Sequence, residues 1–269
     1  MRLNKEIMTK TTEGICKLCG KHKKLTFEHI PPEGAFNDVA VKVYPFEEAV
    51  KLYAGLDGRL PWDFSGLKWD RIQQRGGGDF FLCSECNNNT GSWYISEYTK
   101  LANIMHDIIE SLQPKPGDQL AITLKDIYPQ RIFKAIMTMF CDINNGCFGD
   151  EQLREYILNR EATAFNTSKY SVFLYLVDRN MRRTQDLCVV GHSDVGIVTL
   201  SEIASYPIGV TLYIDRPLEY KAPGLCINDF ACYCFKLNIL HGKTDADGVT
   251  MTSKMLSGSK VKELLDDEP

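Results

Sequence analysis

No apolar run in this chain approaches the ~18 residues that a membrane-spanning helix needs, so no span is predicted. Positive charge is not in surplus either. Lys and Arg number 31 against 35 Asp and Glu, a net charge of −4, which excludes a protein that holds polyanions by bulk charge. Any contact with nucleic acid must therefore be local. There is no internal repeat and no low-complexity tract, and the opening "MRLNKEIMTKTTEG" lacks the apolar centre of a secretory signal. The expected compartment is the cytoplasm. What is present suffices for a packed interior: 269 residues, 44% of them hydrophobic, can bury one large core or two modest ones.

Cysteine is plentiful at ten, but the pattern argues against a disulfide scaffold. Four fall in two C-x-x-C pairs, Cys16/Cys19 and Cys83/Cys86, and the rest are scattered among apolar residues. One such pair could equally be a redox dithiol. Two of them, the first followed by Gly20 and the second leading into a helix, predict a tetrahedral four-cysteine structural Zn2+ site. Cys226, Cys232, Cys234 and His241 match no metal spacing, and these cysteines are expected, like Cys141, Cys147 and Cys188, to be buried thiols.

The sequence predicts an α+β protein in two parts, residues 1–113 and 118–269, divided at "QPKPGD". The first part carries the two zinc halves, separated by an irregular insertion over 34–80 with a short helix expected in "FEEAVKLYAG". Tyr94, Tyr98, Leu101, Met105, Ile108 and Leu112 recur every three or four residues and predict an amphipathic helix. In the second part "YPQRIFKAIMTMFCDIN" reads as a buried helix with Pro129 in its first turn. "GDEQLREYILN" reads as a shorter helix with Asp150 as its N-cap. "YSVFLYLVD", "DLCVVGH", "VGIVTL" and "IGVTLYID" then predict a mainly antiparallel sheet. The tail "SGSKVKELLDDEP" is expected to be loosely held.

Between the zinc halves stands "LTFEHIPPE". A strand leaving the first knuckle would carry Glu28 and His29 on opposite faces, because side chains alternate. A helix beginning near Cys86 and packed across that strand would bring Asn87 to one of those faces. An imidazole, a carboxylate and an amide oxygen can together hydrolyse a phosphodiester. The His takes a proton from water, and a hard divalent ion, Mg2+ or Mn2+, is held by the oxygen ligands Glu28 and Asn87. Zinc would only hold strand and helix in register.

This arrangement, Cys16-x-x-Cys19, then Glu28-His29-Ile30-Pro31-Pro32, then Cys83-x-x-Cys86-Asn87, resembles the HNH endonucleases, in particular their zinc-stapled subgroup. The resemblance covers about the first hundred residues and does not reach the second part. It implies a ββα-metal core of treble-clef type, His29 as general base, Glu28 as a metal ligand, and a helix ligand at Asn87 where many members have His. It also implies nucleic acid, chiefly DNA, as substrate, and it carries an association with phage defence. The family's middle Asn, which orients the base, has no counterpart in "RGGGDFFLC". That task is expected to pass to a backbone carbonyl or to another side chain, with Asp79 a candidate.

Surface cations for the nucleic acid are sought among Lys10, Lys17, Lys21, Lys23 and Lys24, and among Arg71, Arg75, Arg131, Lys134, Arg179, Arg182 and Arg183. The second part is expected to select the target or to bind a regulatory protein partner, and a homodimer would suit symmetric cleavage. Two other readings remain: a non-catalytic zinc module binding nucleic acid or protein, and a nuclease subunit silent without a partner.

Overall fold

The computed structural model describes residues 12–45, 48, 66–114, 119–121, 123–177, 182–241 and 250–252. The helix expected in "FEEAVKLYAG", Lys10, Arg179 and the tail from Ser257 lie outside the described residues, apart from Glu48. Strands β1 (Thr12–Ile15) and β2 (His22–His29) form a hairpin around the first C-x-x-C, and β5 (Gly78–Cys83) adds to β2, giving an antiparallel sheet of order β1-β2-β5. Between β2 and β5 the insertion forms a ribbon of β3 (Val41–Val43) and β4 (Arg71–Gln73).

β5 runs straight into α1 (Ser84–Thr90), which continues through a π turn (Gly91–Ile95) into α2 (Ser96–Leu112). Tyr94, Tyr98, Leu101, Met105 and Ile109 are buried along this helix, and the spacing seen in the sequence is the stripe that packs. Tyr94 also donates its hydroxyl to the Ile157 carbonyl at 2.8 Å, so it is a core anchor. α3 (Pro129–Ile143) begins with its proline in the first turn, where a missing N–H costs nothing, and is buried over almost its whole length. α4 (Glu151–Leu158) is capped by Asp150, whose Oδ1 accepts from the Leu153 N–H at 3.1 Å.

The larger sheet is antiparallel throughout, in the order β12 (Leu225–Cys226), β8 (Tyr170–Leu176), β11 (Ile208–Ile214), β10 (Gly196–Ser205), β9 (Arg182–His192). β8 and β11 are nearly continuous apolar runs because they are covered on both faces, whereas β9 is an edge strand and mostly exposed. Two short pairs complete the described structure: β7 (Thr123–Ile127) with β13 (Leu237–His241), and β6 (Gln119–Ala121) with β14 (Thr250–Thr252). The fold is therefore α+β with antiparallel sheets.

Residues on either side of 113–118 share one core, in which Cys16, Leu18, Leu82 and Tyr94 join Phe133, Phe140, Tyr156 and Ile227. Polar contacts tie the loop that carries Cys16 and Cys19 to the second part. Lys17 Nζ donates to Asn145 Oδ1 at 2.7 Å, and Arg154 Nε to the Leu18 carbonyl at 2.8 Å.

Several expectations from sequence are corrected. Lys134 is not a surface cation: it is 0% exposed, and Nζ donates to the Asn159 and Arg160 carbonyls beyond the end of α4, with the Tyr156 ring 4.5 Å away. Burial pushes its pKa down to about 8. Arg182 donates to the Phe36 carbonyl and Arg183 pairs with Glu202, so both serve the fold. Cys226, Cys232 and Cys234 are exposed rather than buried, because the 3-10 turn Asn228–Cys232 turns Phe230 and Ala231 inward and its flanks outward. Cys141 and Cys147 are buried as expected, their sulfurs 3.2 Å apart.

A Cβ on Gly209 would fall 2.2 Å from atoms of the Tyr175 ring, which is packed over β11 and donates its hydroxyl to Glu202. Gly209→Ala should therefore destabilise the protein by about 1–3 kcal/mol through overpacking, read as a lower urea midpoint at unchanged slope.

Candidate metal centre and hydrolytic site

The loop after β1 closes on itself because Gly20 takes φ +70, where a side chain is disfavoured. There its N–H reaches the Cys16 carbonyl at 2.9 Å, and the Cys16 N–H reaches the Lys21 carbonyl at 3.0 Å. This turns Cys16 and Cys19 to one side. Cys83 ends β5 and Cys86 lies one turn into α1, so strand and helix present the second pair to the first. The four sulfurs all lie within 4.8 Å of one another. A tetrahedron of ~2.3 Å Zn–S bonds has sulfurs about 3.8 Å apart, so the cluster fits a structural zinc or another thiophilic metal.

The environment favours one thiolate, at Cys16. Cys16 Sγ accepts from the Cys86 thiol and from backbone N–H groups including that of Cys83 at 3.3 Å, and its pKa is drawn down to about 4. Cys86, which donates to that thiolate, is pushed up instead, as two neighbouring thiols cannot both ionise without a cation to share. A bound cation removes that conflict.

Across the sheet, β2 alternates as its extended backbone requires. Thr26 and Glu28 face α1, while Phe27 and His29 face the other way, their rings in edge contact at 5.0 Å. Thr26 donates its hydroxyl to the Leu82 carbonyl at 3.0 Å, so its oxygen is left to accept, which it does from Asn87 Nδ2 at 3.0 Å. The amide thereby turns Nδ2 toward β2 and Oδ1 toward the Gly91 side of the helix. Asn87 also lies near enough to the Glu28 carboxylate to draw its pKa down. The structure thus brings Glu28 and Asn87 together and sets His29 on the opposite face of the same strand end. Burial pushes the Glu28 pKa up to about 7, and Asn87 offsets part of that rise.

His29 is held by the backbone: its Nε2 lies 2.7 Å from the Arg75 carbonyl oxygen. A carbonyl only accepts, so Nε2 carries the hydrogen and Nδ1 is the basic nitrogen of the neutral ring. Asp79 does not fill this role. It stands opposite Glu28 in the ladder, accepts from the Phe80 N–H at 2.8 Å and lies 3.9 Å from Arg71.

The residue that sequence reasoning missed is Asn37. It is 0% exposed and clasps the loop that carries the Arg75 carbonyl. Its Nδ2 donates to the Pro31 and Gly77 carbonyls, the latter at 2.8 Å, and its Oδ1 accepts from the Gly77 N–H at 2.7 Å. Gly76 and Gly78 permit this closeness: a Cβ would fall 1.8 Å from the Asn37 carbonyl oxygen at the first and 2.2 Å from the Glu28 carbonyl oxygen at the second. The glycines serve an approach of chain to chain. Of the sought cations, Lys17 is bonded to Asn145 and Lys23 to Glu85, leaving Lys21 and Lys24 exposed at the cysteine end of β2 and Arg75 exposed beside His29.

Cys86→Ser should lower bound zinc from about one equivalent per chain to well below that, and should depress the melting temperature, measured by metal analysis and thermal denaturation. A pH dependence follows from Glu28. Its folded value lies above the ordinary 4.5, so the stabilisation from its bound proton is complete below about pH 4.5 and is lost as pH rises through about 7. Without added Mg2+ or Mn2+, Glu28→Gln should be more stable than wild type by about 2 kcal/mol at pH 8, with the difference shrinking as pH falls and gone below about pH 4.

No helix among the described residues is long and apolar enough to cross a membrane. Comparison with known proteins finds no matching family model, no similar curated protein and no similar solved structure. Of the pattern that resembles the HNH endonucleases, the four-cysteine cluster is the part that the structure assembles as a metal site in its own right.

Proposed function

We propose that this protein is a metal-dependent endonuclease of HNH type that hydrolyses phosphodiester bonds in DNA, built on a treble-clef arrangement of knuckle, hairpin and helix stapled by Zn2+. The observation that carries this reading is the end of β2. There a carboxylate beside a helix amide and an imidazole fixed through Nε2 occupy adjacent positions on a strand that the cysteine cluster ties to the helix.

In this reading His29 Nδ1 takes the proton of the attacking water. The Arg75 carbonyl holds the ring in the tautomer that leaves Nδ1 basic. Glu28 and Asn87, the latter once its amide turns Oδ1 from the Gly91 side toward β2, would hold Mg2+ or Mn2+, and the ion would supply charge to offset that of the scissile phosphate and the departing oxygen. Because β2 ends at His29, a phosphate lying across that end is reached from both faces of the strand. Asn37 keeps the Arg75 loop from drifting, so it positions the base without touching substrate. Lys21, Lys24 and Arg75 offer local positive charge to the flanking phosphates, as a chain of net charge −4 requires.

A second reading, a nuclease subunit silent until a protein partner engages it, draws on the β9–β10 ribbon, where Val189 and Ile197 are each 66% exposed.

Supercoiled plasmid incubated with the zinc-loaded protein should be nicked or linearised in Mg2+ or Mn2+ and left intact in their absence. His29→Ala should reduce the rate at least about 100-fold at unchanged zinc content. Cleavage that persists in His29→Ala would remove the base assignment, and an inert wild type would remove the reading for the isolated chain.

A further inference from the structure

Helix α3 ends on a group that the site above leaves unused. Asp142 is 1% exposed, and neither of its carboxylate oxygens has a hydrogen-bond partner. Its neighbours are provided for: Thr138 donates to the Lys134 carbonyl, Asn144 to the Phe140 carbonyl and to Ser201 Oγ, and the Cys141 thiol to Cys147. A carboxylate withdrawn from water costs several kcal/mol unless an opposite charge or a metal meets it. The cation of this neighbourhood, Lys17, is bonded to Asn145.

The position of Asp142 explains what it faces. α3 packs against β5 and the π turn, and the loop after it is fixed to the loop that carries Cys16 and Cys19 through Lys17 and Asn145. The end of α3 therefore lies against β5 and the cysteine-bearing loop, next to the sheet that carries Glu28. Burial raises the Asp142 pKa well above the carboxylate range, and the charge that adds most to this is that of Glu28. A buried and a half-buried carboxyl group within electrostatic reach repel one another when ionised, unless a cation lies between them.

We propose that Asp142 is a third protein ligand of the divalent cation, its carboxylate meeting that of Glu28 across the ion, with Asn87 on the helix side. Two carboxylates and an amide oxygen form an all-oxygen donor set suited to Mg2+ or Mn2+, and their two negative charges match the charge of the ion. The part of the chain after residue 118 then completes the site that the motif residues begin. What the ion does there rests on the nuclease reading, whereas its binding by Asp142 is tested separately.

The full-length, zinc-loaded protein is titrated with Mn2+, and free Mn2+ is read by electron paramagnetic resonance. Wild type should bind a single Mn2+, and Asp142→Asn and Glu28→Gln should each weaken it at least about ten-fold at unchanged zinc content and circular dichroism. Asp142→Asn binding Mn2+ as tightly as wild type overturns the proposal and leaves the nuclease reading standing. A wild type that binds no Mn2+ overturns both. Mn2+ binding that needs Asp142 in a protein that cuts no plasmid upholds the ligand and removes the nuclease. Should Asp142→Asn fail to fold, wild type loaded with Fe2+ and treated with ascorbate and peroxide decides. Backbone cuts near both residue 28 and residue 142 support the proposal, and cuts near 28 without any near 142 overturn it.

Discussion

Everything at the site depends on the four-cysteine cluster. A three-stranded sheet of short strands has little stability of its own, and the helix that crosses it enters directly from β5 with no turn to set its angle. Cys83 and Cys86 fix that junction, and Cys16 and Cys19 bring the hairpin to it. Once β2 and α1 are held in register, Thr26 can accept from Asn87, and Asn87 in turn meets Glu28. The same register leaves His29 on the far side, where the Arg75 carbonyl receives it.

The second dependence is on burial. Leu18 and Cys16 sit in the same core as α3 and α4, and Lys17 and Leu18 are bonded to Asn145 and Arg154. The loop that carries Cys16 and Cys19 is thus clamped by the second part. This mutual support is why residues that read in sequence as separate halves form one packed interior. It also brings an acidic side chain of α3, Asp142, within electrostatic reach of Glu28.

Much of this was legible in the sequence because the governing interactions are short in range. Paired C-x-x-C spacing, the proline at the start of α3, the Asp150 cap and the alternation of Glu28 and His29 each depend on a few neighbouring residues. What escaped depends on distant partners. Asn37 bonds to Gly77, 40 positions away, in an insertion that looked irregular. Lys134 looks like a surface cation until the end of α4 closes over it. The thiols around Phe230 looked buried by their company, yet a single 3-10 turn faces them outward. The need for something to orient His29 could be stated in advance, whereas the carbonyl that meets it could not, since Arg75 reaches it only through the turn at Gly76 that Asn37 holds.

The central claim is that one metal staples the scaffold while another kind of metal sits at the strand end. Anomalous diffraction from crystals grown with Zn2+ and soaked in Mn2+, recorded at the two absorption edges, tests it directly. The account predicts a zinc peak inside the four sulfurs and a separate manganese peak beside Glu28, with His29 within reach of it through Nδ1. Zinc among the sulfurs with no manganese at Glu28 would leave a stapled fold without the hydrolytic site, and would contradict the account.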